Sequence, residues 1–137
     1  MARAFVAVVP PPVAVDEVVR WRAQLPTDER LRWSDSSQWH LTLRFFSDAD
    51  IDAVADALGA LDHPAGWIAL GGGGAFPRPH RGTTLWVGVR DGLVWLQGLA
   101  GAVASIVAPV AGDEGRERAT DQPYRAHLTL ARARRPG

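Results

Sequence analysis

The chain has 137 residues, 47% hydrophobic and 22% charged, which is the make-up of one globular domain able to bury a core. Fifteen cations offset fifteen carboxylates, so no global field recruits nucleic acid or anionic lipid, and a polyanion site must be built locally. The absence of Cys excludes thiol nucleophiles, disulfides and thiolate metal sites, and the absence of Lys excludes a lysine-tipped phosphate loop, Schiff-base chemistry and a lysyl-nucleotide intermediate.

Residues 2–9 form a short β-branched and aromatic run that predicts a strand. Its apolar part is too short for a signal peptide, and the expectation is a cytoplasmic protein. Pro12 suits a first helical position, and Val15, Val18, Val19 and Leu25 recur at helical spacing until Pro26 stops them. Residues 27–37 read as polar loop, 39–46 as a strand, and 51–61 as a helix capped by Ser47 or Asp48. Residues 67–70 predict a short strand running into the glycines of 71–74, read as a hinge. A strand over 84–89, a turn at Asp91-Gly92 and a helix over 93–107 follow. Leu93–Ala111 carries no charge and is long enough to span a membrane, but Gln97, Ser105, Pro109 and its glycines favour a core helix, with no membrane partner. Residues 112–123 read as a charged loop and 124–131 as the last strand.

Strand–helix–loop–strand thus occurs twice, and each closing strand contains the same tetrapeptide: His40-Leu41-Thr42-Leu43 and His127-Leu128-Thr129-Leu130. That repetition points to internal duplication within a single domain, with a first repeat over 1–76 and a second over 83–137.

Side chains two apart on a strand share a face. His40 and Thr42 therefore point one way, with Arg44 on the same face, while Leu41, Leu43 and Phe45 point to the core. His127 and Thr129 likewise share a face opposite Leu128 and Leu130. A single such pair is ordinarily a surface or core-edge feature. Two pairs related by an approximate twofold axis would face one another across a cleft, one imidazole accepting a proton from the attacking water and the other giving one to the leaving oxygen. In-line displacement at phosphorus needs that opposition. Threonine hydroxyls can donate to non-bridging oxygens, and a neighbouring Arg can stabilise their charge, so the scheme needs no metal.

The remaining features are weaker. His63 and His80 flank prolines and read as loop residues, and Asp48, Asp50 and Asp52 lack the Gly and Glu of a calcium loop. Arg125, Arg132, Arg134 and Arg135 cluster beside the second motif, where they suit an RNA backbone. Trp33, Trp39, Phe76 and Tyr124 are candidates to stack a terminal base.

The paired motifs resemble those of the 2H phosphoesterase superfamily, and within it the LigT-like RNA 2′,3′-cyclic phosphodiesterases, also called 2′–5′ RNA ligases. The opening Arg3-Ala4-Phe5-Val6-Ala7-Val8 is similar to that family's first strand, and Trp39 to Phe46 to its first motif. Phe76-Pro77 with Leu85-Trp86-Val87-Gly88-Val89 resembles its middle section, and Pro123 to Arg132 its second motif. The resemblance implies an α+β fold of duplicated β-α-β-α-β units, with mainly antiparallel sheets around a central cleft. It implies hydrolysis of a 2′,3′-cyclic phosphate on an RNA or nucleotide end, without metal or cofactor. By that likeness His127 activates water, His40 protonates the departing 3′ oxygen, and Thr42, Thr129 and Arg132 hold the phosphate; the residues alone leave the two histidines interchangeable. Arg44, Tyr124 and Phe76 are further substrate-binding candidates. Alternation sets Arg132 opposite His127, so the likeness requires a bulge or strand end to re-aim it. Ser47 stands where the family usually has Gly, and Ala126 where it has Pro. The chain also stops just after the second motif, so the second unit is expected to lack its last helix and strand, leaving an edge that a homodimer would cover. A small ADP-ribose-type substrate and a non-catalytic RNA-end binder are the alternative readings.

Overall fold

The computed structural model describes residues 2–25, 30–76, 84–121 and 126–133, with side chains for all of these except 74–76, 112–121 and 133. In chain order the elements are β1 (Ala2–Val8), α1 (Pro12–Ala23), β2 (Leu31–Trp33), a 3₁₀ turn (Ser36–Gln38), β3 (Leu41–Ala49), α2 (Ile51–Leu58), β4 (Ala69–Phe76), β5 (Thr84–Asp91), α3 (Leu93–Asp121) and β6 (His127–Ala133). The strands form one sheet, ordered β1-β3-β6-β5-β4, with β2 also paired to β6. Every pairing is antiparallel, and the fold is α+β.

Local chemistry accounts for most boundaries. Pro12 opens α1, where its fixed φ is already helical and its missing N–H costs nothing. The Asp50 carboxylate accepts from the Ala53 amide at 3.2 Å and caps α2, displacing Ser47 and Asp48 from that role because β3 runs on through both of them. Gly92 starts α3 at φ +85°, where its carbonyl accepts from the Leu96 amide. Leu96, Ala100, Val103 and Val107 recur three or four apart along α3 and are buried, so this apolar helix lays one face on the core.

Three expectations need correction. The loop predicted over 27–37 contains β2, a three-residue strand held by β6 rather than by its own pattern. The glycines of 71–74 are strand, not hinge, since Gly73 and Gly74 pair with Val87 and Trp86. Between Leu70 and Gly73 this strand carries one extra residue relative to β5, absorbed where Gly72 adopts φ +69°. α3 passes through Pro109 and continues across the charged segment expected to be a loop. Among the described residues, β4 hydrogen-bonds to β5 alone.

The two motif-bearing strands, β3 and β6, meet in a ladder of one pair, Leu41–Leu128. Both leucines are buried at that seam with Phe46, Leu130 and Trp39 around them in the core cluster. On either side β1 pairs with β3 and β5 with β6. In β3, Val6 lies opposite Arg44 and Ala7 opposite Thr42, so Leu43 is an extra residue. In β6, Leu85 lies opposite Ala131 and Trp86 opposite Thr129, so Leu130 is extra. Leu43 and Leu130 are the fourth residues of the two tetrapeptides, so the two motif strands carry a β-bulge at the equivalent place.

Candidate active site

The Leu41–Leu128 pair sends both leucines to the core, so the flanking residues of each strand point to the opposite face. His40 and Thr42 flank Leu41 in the chain, and His127 and Thr129 flank Leu128. The four side chains therefore gather about the seam. All four line one cavity of about 600 Å³, together with Arg132, Phe5, Ala7, Val9, Trp39 and the polar residues Ser34, Ser37 and Gln38.

The bulges decide which other side chains join them. An extra residue reverses the alternation, so residues beyond Leu130 exchange faces: Ala131 turns to the core and Arg132 to the cavity. This supplies the re-aiming that simple alternation denies Arg132. Its Nη1 donates to Thr84 Oγ1 at 3.3 Å, from the strand alongside. The bulge at Leu43 has the opposite consequence for Arg44. Expected on the His40 face, Arg44 instead lies on the core side at 8% exposure, its guanidinium 5.5 Å from the Phe46 ring centre. Phe46, not Phe45, is accordingly the buried phenylalanine of β3. The halves thus differ just beyond the bulge, where Phe45 in one corresponds to Arg132 in the other.

His40 precedes β3 and is held by other means. Its Nδ1 lies 2.7 Å from the Gln38 carbonyl, which can only accept, so Nδ1 carries the proton and Nε2 is left for chemistry. Phe5 stacks on the ring at 4.5 Å and 18°. Trp86 meets His127 in a tilted, edge-type contact at 6.3 Å. Among the described residues lining the cavity none is acidic, so the Arg132 charge faces it without a competing carboxylate. Among the described residues, no three His, Cys, Asp or Glu side chains gather as a metal centre would require. A larger cavity of about 780 Å³ opens elsewhere, against Leu41, Val87 and Trp67, but Glu17 is the one titratable group among its described residues. The histidines and Arg132 therefore gather in the smaller cavity.

Of the predicted site residues, His40, Thr42, His127, Thr129 and Arg132 come together, and Arg44 does not. Phe76 ends β4 opposite Thr84, but its side chain lies outside the described residues, as does the whole of Tyr124. His80, Arg125, Arg134 and Arg135 lie outside them too. Phe5, Ser34, Ser37 and Gln38 line the cavity without having been singled out in the sequence. Alternation along β1 would have grouped Phe5, Ala7 and Val9; nothing in the sequence marks the turn that carries Ser37 and Gln38 to the rim.

The family model described as LigT like Phosphoesterase matches residues 9–86. The chain belongs to the LigT-like phosphoesterase family. The match takes in the first His–Thr motif but ends before the second, which the fold brings to the same cavity. An RNA 2′,3′-cyclic phosphodiesterase of Aeropyrum pernix is 31% identical over 101 residues, covering 72% of this chain and 54% of that relative. The chain thus spans about half the length of the curated relative it matches. Among solved structures, TT0787 of Thermus thermophilus superposes with a TM-score of 0.78 over 100% of this chain and 76% of its own. At 24% identity that likeness concerns the fold alone. LigT of E. coli, complexed with 3′-AMP, is 25% identical with a TM-score of 0.73, covering 96% of this chain and 72% of that one.

Proposed function

We propose that this protein hydrolyses 2′,3′-cyclic phosphates on RNA or nucleotide ends to 2′-phosphates, with His40 and His127 as its acid–base pair. The observation that carries this reading is the convergence of both His–Thr motifs on one cavity beside Arg132. One imidazole takes a proton from water as its oxygen attacks phosphorus. The bond to the 3′ oxygen breaks on the opposite side, and that oxygen takes a proton from the other imidazole. Family likeness assigns the base to His127 and the acid to His40. With Nδ1 engaged by Gln38, His40 exchanges its proton through Nε2. Thr42 and Thr129 donate to the non-bridging oxygens, and Arg132 balances their growing charge.

The name of the Aeropyrum pernix relative and the nucleotide held by E. coli LigT support a substrate of this class. The test is turnover of an oligonucleotide ending in a 2′,3′-cyclic phosphate. His40→Ala and His127→Ala should each lose at least about 100-fold in kcat, the lower end of what a positioned acid or base contributes. Turnover that survives either change would end the proposal. A parallel assay on a mononucleoside 2′,3′-cyclic phosphate separates an RNA-end enzyme from one acting on small substrates, and tight binding without hydrolysis would mark a binding module instead.

A further inference from the structure

We propose that Asp35 is a positioning residue for His40, acting through the turn whose carbonyl holds the imidazole. An imidazole at a strand end has two free torsions and two neutral tautomers, and only one arrangement presents Nε2 to the cavity while Nδ1–H is spent elsewhere. The Gln38 carbonyl selects it. Its direction is not set by the sheet, because Gln38 and His40 both precede the first residue of β3.

The ends of the turn are anchored. The Ser34 amide donates to the Leu130 carbonyl at 2.8 Å, tying the entry to the strand of the second motif, and Trp39 is buried in the core at the exit. Between them Asp35, Ser37 and Gln38 are exposed, so apolar packing does not hold this stretch. Three bonds close it: Gln38 N–H to the Asp35 carbonyl at 2.9 Å, Trp39 N–H to the Ser36 carbonyl at 3.2 Å, and Ser37 N–H to Asp35 Oδ1 at 2.9 Å. The first two are 3₁₀ bonds of poor intrinsic geometry, and the third is the side-chain cap. Bonds from the Ser37 amide and then its hydroxyl hold the Asp35 carboxyl below its usual value, which keeps it an anionic acceptor at neutral pH. Asp35 does not itself line the cavity, so its influence passes through Gln38 and His40. Ser37 and Gln38 do line it, and the same turn thus forms part of the wall it adjusts.

The kinetic arm of the test rests on the phosphodiesterase reading; the spectroscopic arm does not. Asp35→Ala and Asp35→Asn are made in the full chain, and the ring-nitrogen NMR signals of His40 and His127 are compared with wild type. In Asp35→Ala, the His40 signature should move from a single Nδ1–H tautomer towards a mixture while that of His127 stays put. The kcat should fall by about 3- to 30-fold, with a smaller change in KM, as expected for a lost cap expressed at a reacting group. Asp35→Asn keeps the accepting oxygen and should restore both readings. The proposal is overturned by an unaltered His40 signature in Asp35→Ala, by equal disturbance of both histidines, or by failure of Asp35→Asn to restore the signature. If wild type shows no turnover, the phosphodiesterase reading fails alone and the His40 signature still decides the role of Asp35.

Discussion

Leu128→Ala tests the seam on which the site is built. Leu128 is fully buried (0% exposed) and faces Leu41 in the one ladder pair joining β3 to β6. Removing its three outer carbons forfeits about 2 kcal/mol of transfer free energy, at about 0.8 kcal/mol per carbon. The site is enclosed on both strands and cannot collapse cheaply, so the residual cavity should lift the total to about 3–5 kcal/mol. Against a domain stability of about 5–15 kcal/mol, that is a large fraction. With six tryptophans as reporters, urea unfolding gives the midpoint directly. At an m-value of about 2 kcal/mol per molar, the midpoint should fall by roughly 1.5–2.5 M with the slope unchanged. Val94→Ala, at a position 82% exposed on α3, is the control and should stay within about 0.5 kcal/mol of wild type. If Leu128→Ala costs no more than Val94→Ala, the packing of Leu128 against Leu41 does not hold β3 to β6 and the seam is not where the site is anchored.

Arg44→Met should leave kcat/KM per folded molecule within about twofold of wild type, whereas Arg132→Met should lose about tenfold or more through its charge-assisted contacts; comparable losses in the two would contradict the bulge at Leu43. Gly92→Ala should destabilise by more than about 2 kcal/mol in the same urea assay, because a Cβ at φ +85° would sit 2.4 Å from the Trp67 carbonyl oxygen; a neutral change would refute that backbone geometry. The Asp35 carboxyl has a folded pKa below its ordinary 3.8, so its contribution is present above that value and is lost as pH falls through the folded one. Wild-type Tm should therefore fall more steeply than that of Asp35→Asn between about pH 5 and about pH 2, and parallel curves would show the carboxylate contributes nothing to folding.

What the sequence discloses here is whatever short-range pattern controls. Pro12 marks the start of α1, and the spacing of Val15, Val18 and Val19 marks its inner side. The repeated tetrapeptide identifies both histidines and threonines of the cavity because alternation holds from His40 to Thr42 and from His127 to Thr129. Beyond the threonines it fails, since nothing local distinguishes a bulged leucine from one in register; only the partner strand's count does, and so simple alternation puts Arg44 and Phe45 on the wrong faces. β2 is a strand because β6 offers it an edge, and the glycines of β4 are extended because β5 pairs with them, both long-range causes. The turn at Ser36–Gln38 is similar, its entry fixed by Leu130, nearly a hundred residues downstream.

The paired bulges make strand length a heritable constraint in its own right. Losing one residue between Thr42 and Phe46 would turn the rest of β3 inside out, driving Arg44 into the cleft and Phe46 into water. The same loss in β6 would bury the Arg132 charge and expel Ala131. Many side chains along these strands can drift over generations, but the count between each threonine and the end of its strand has almost no freedom to change.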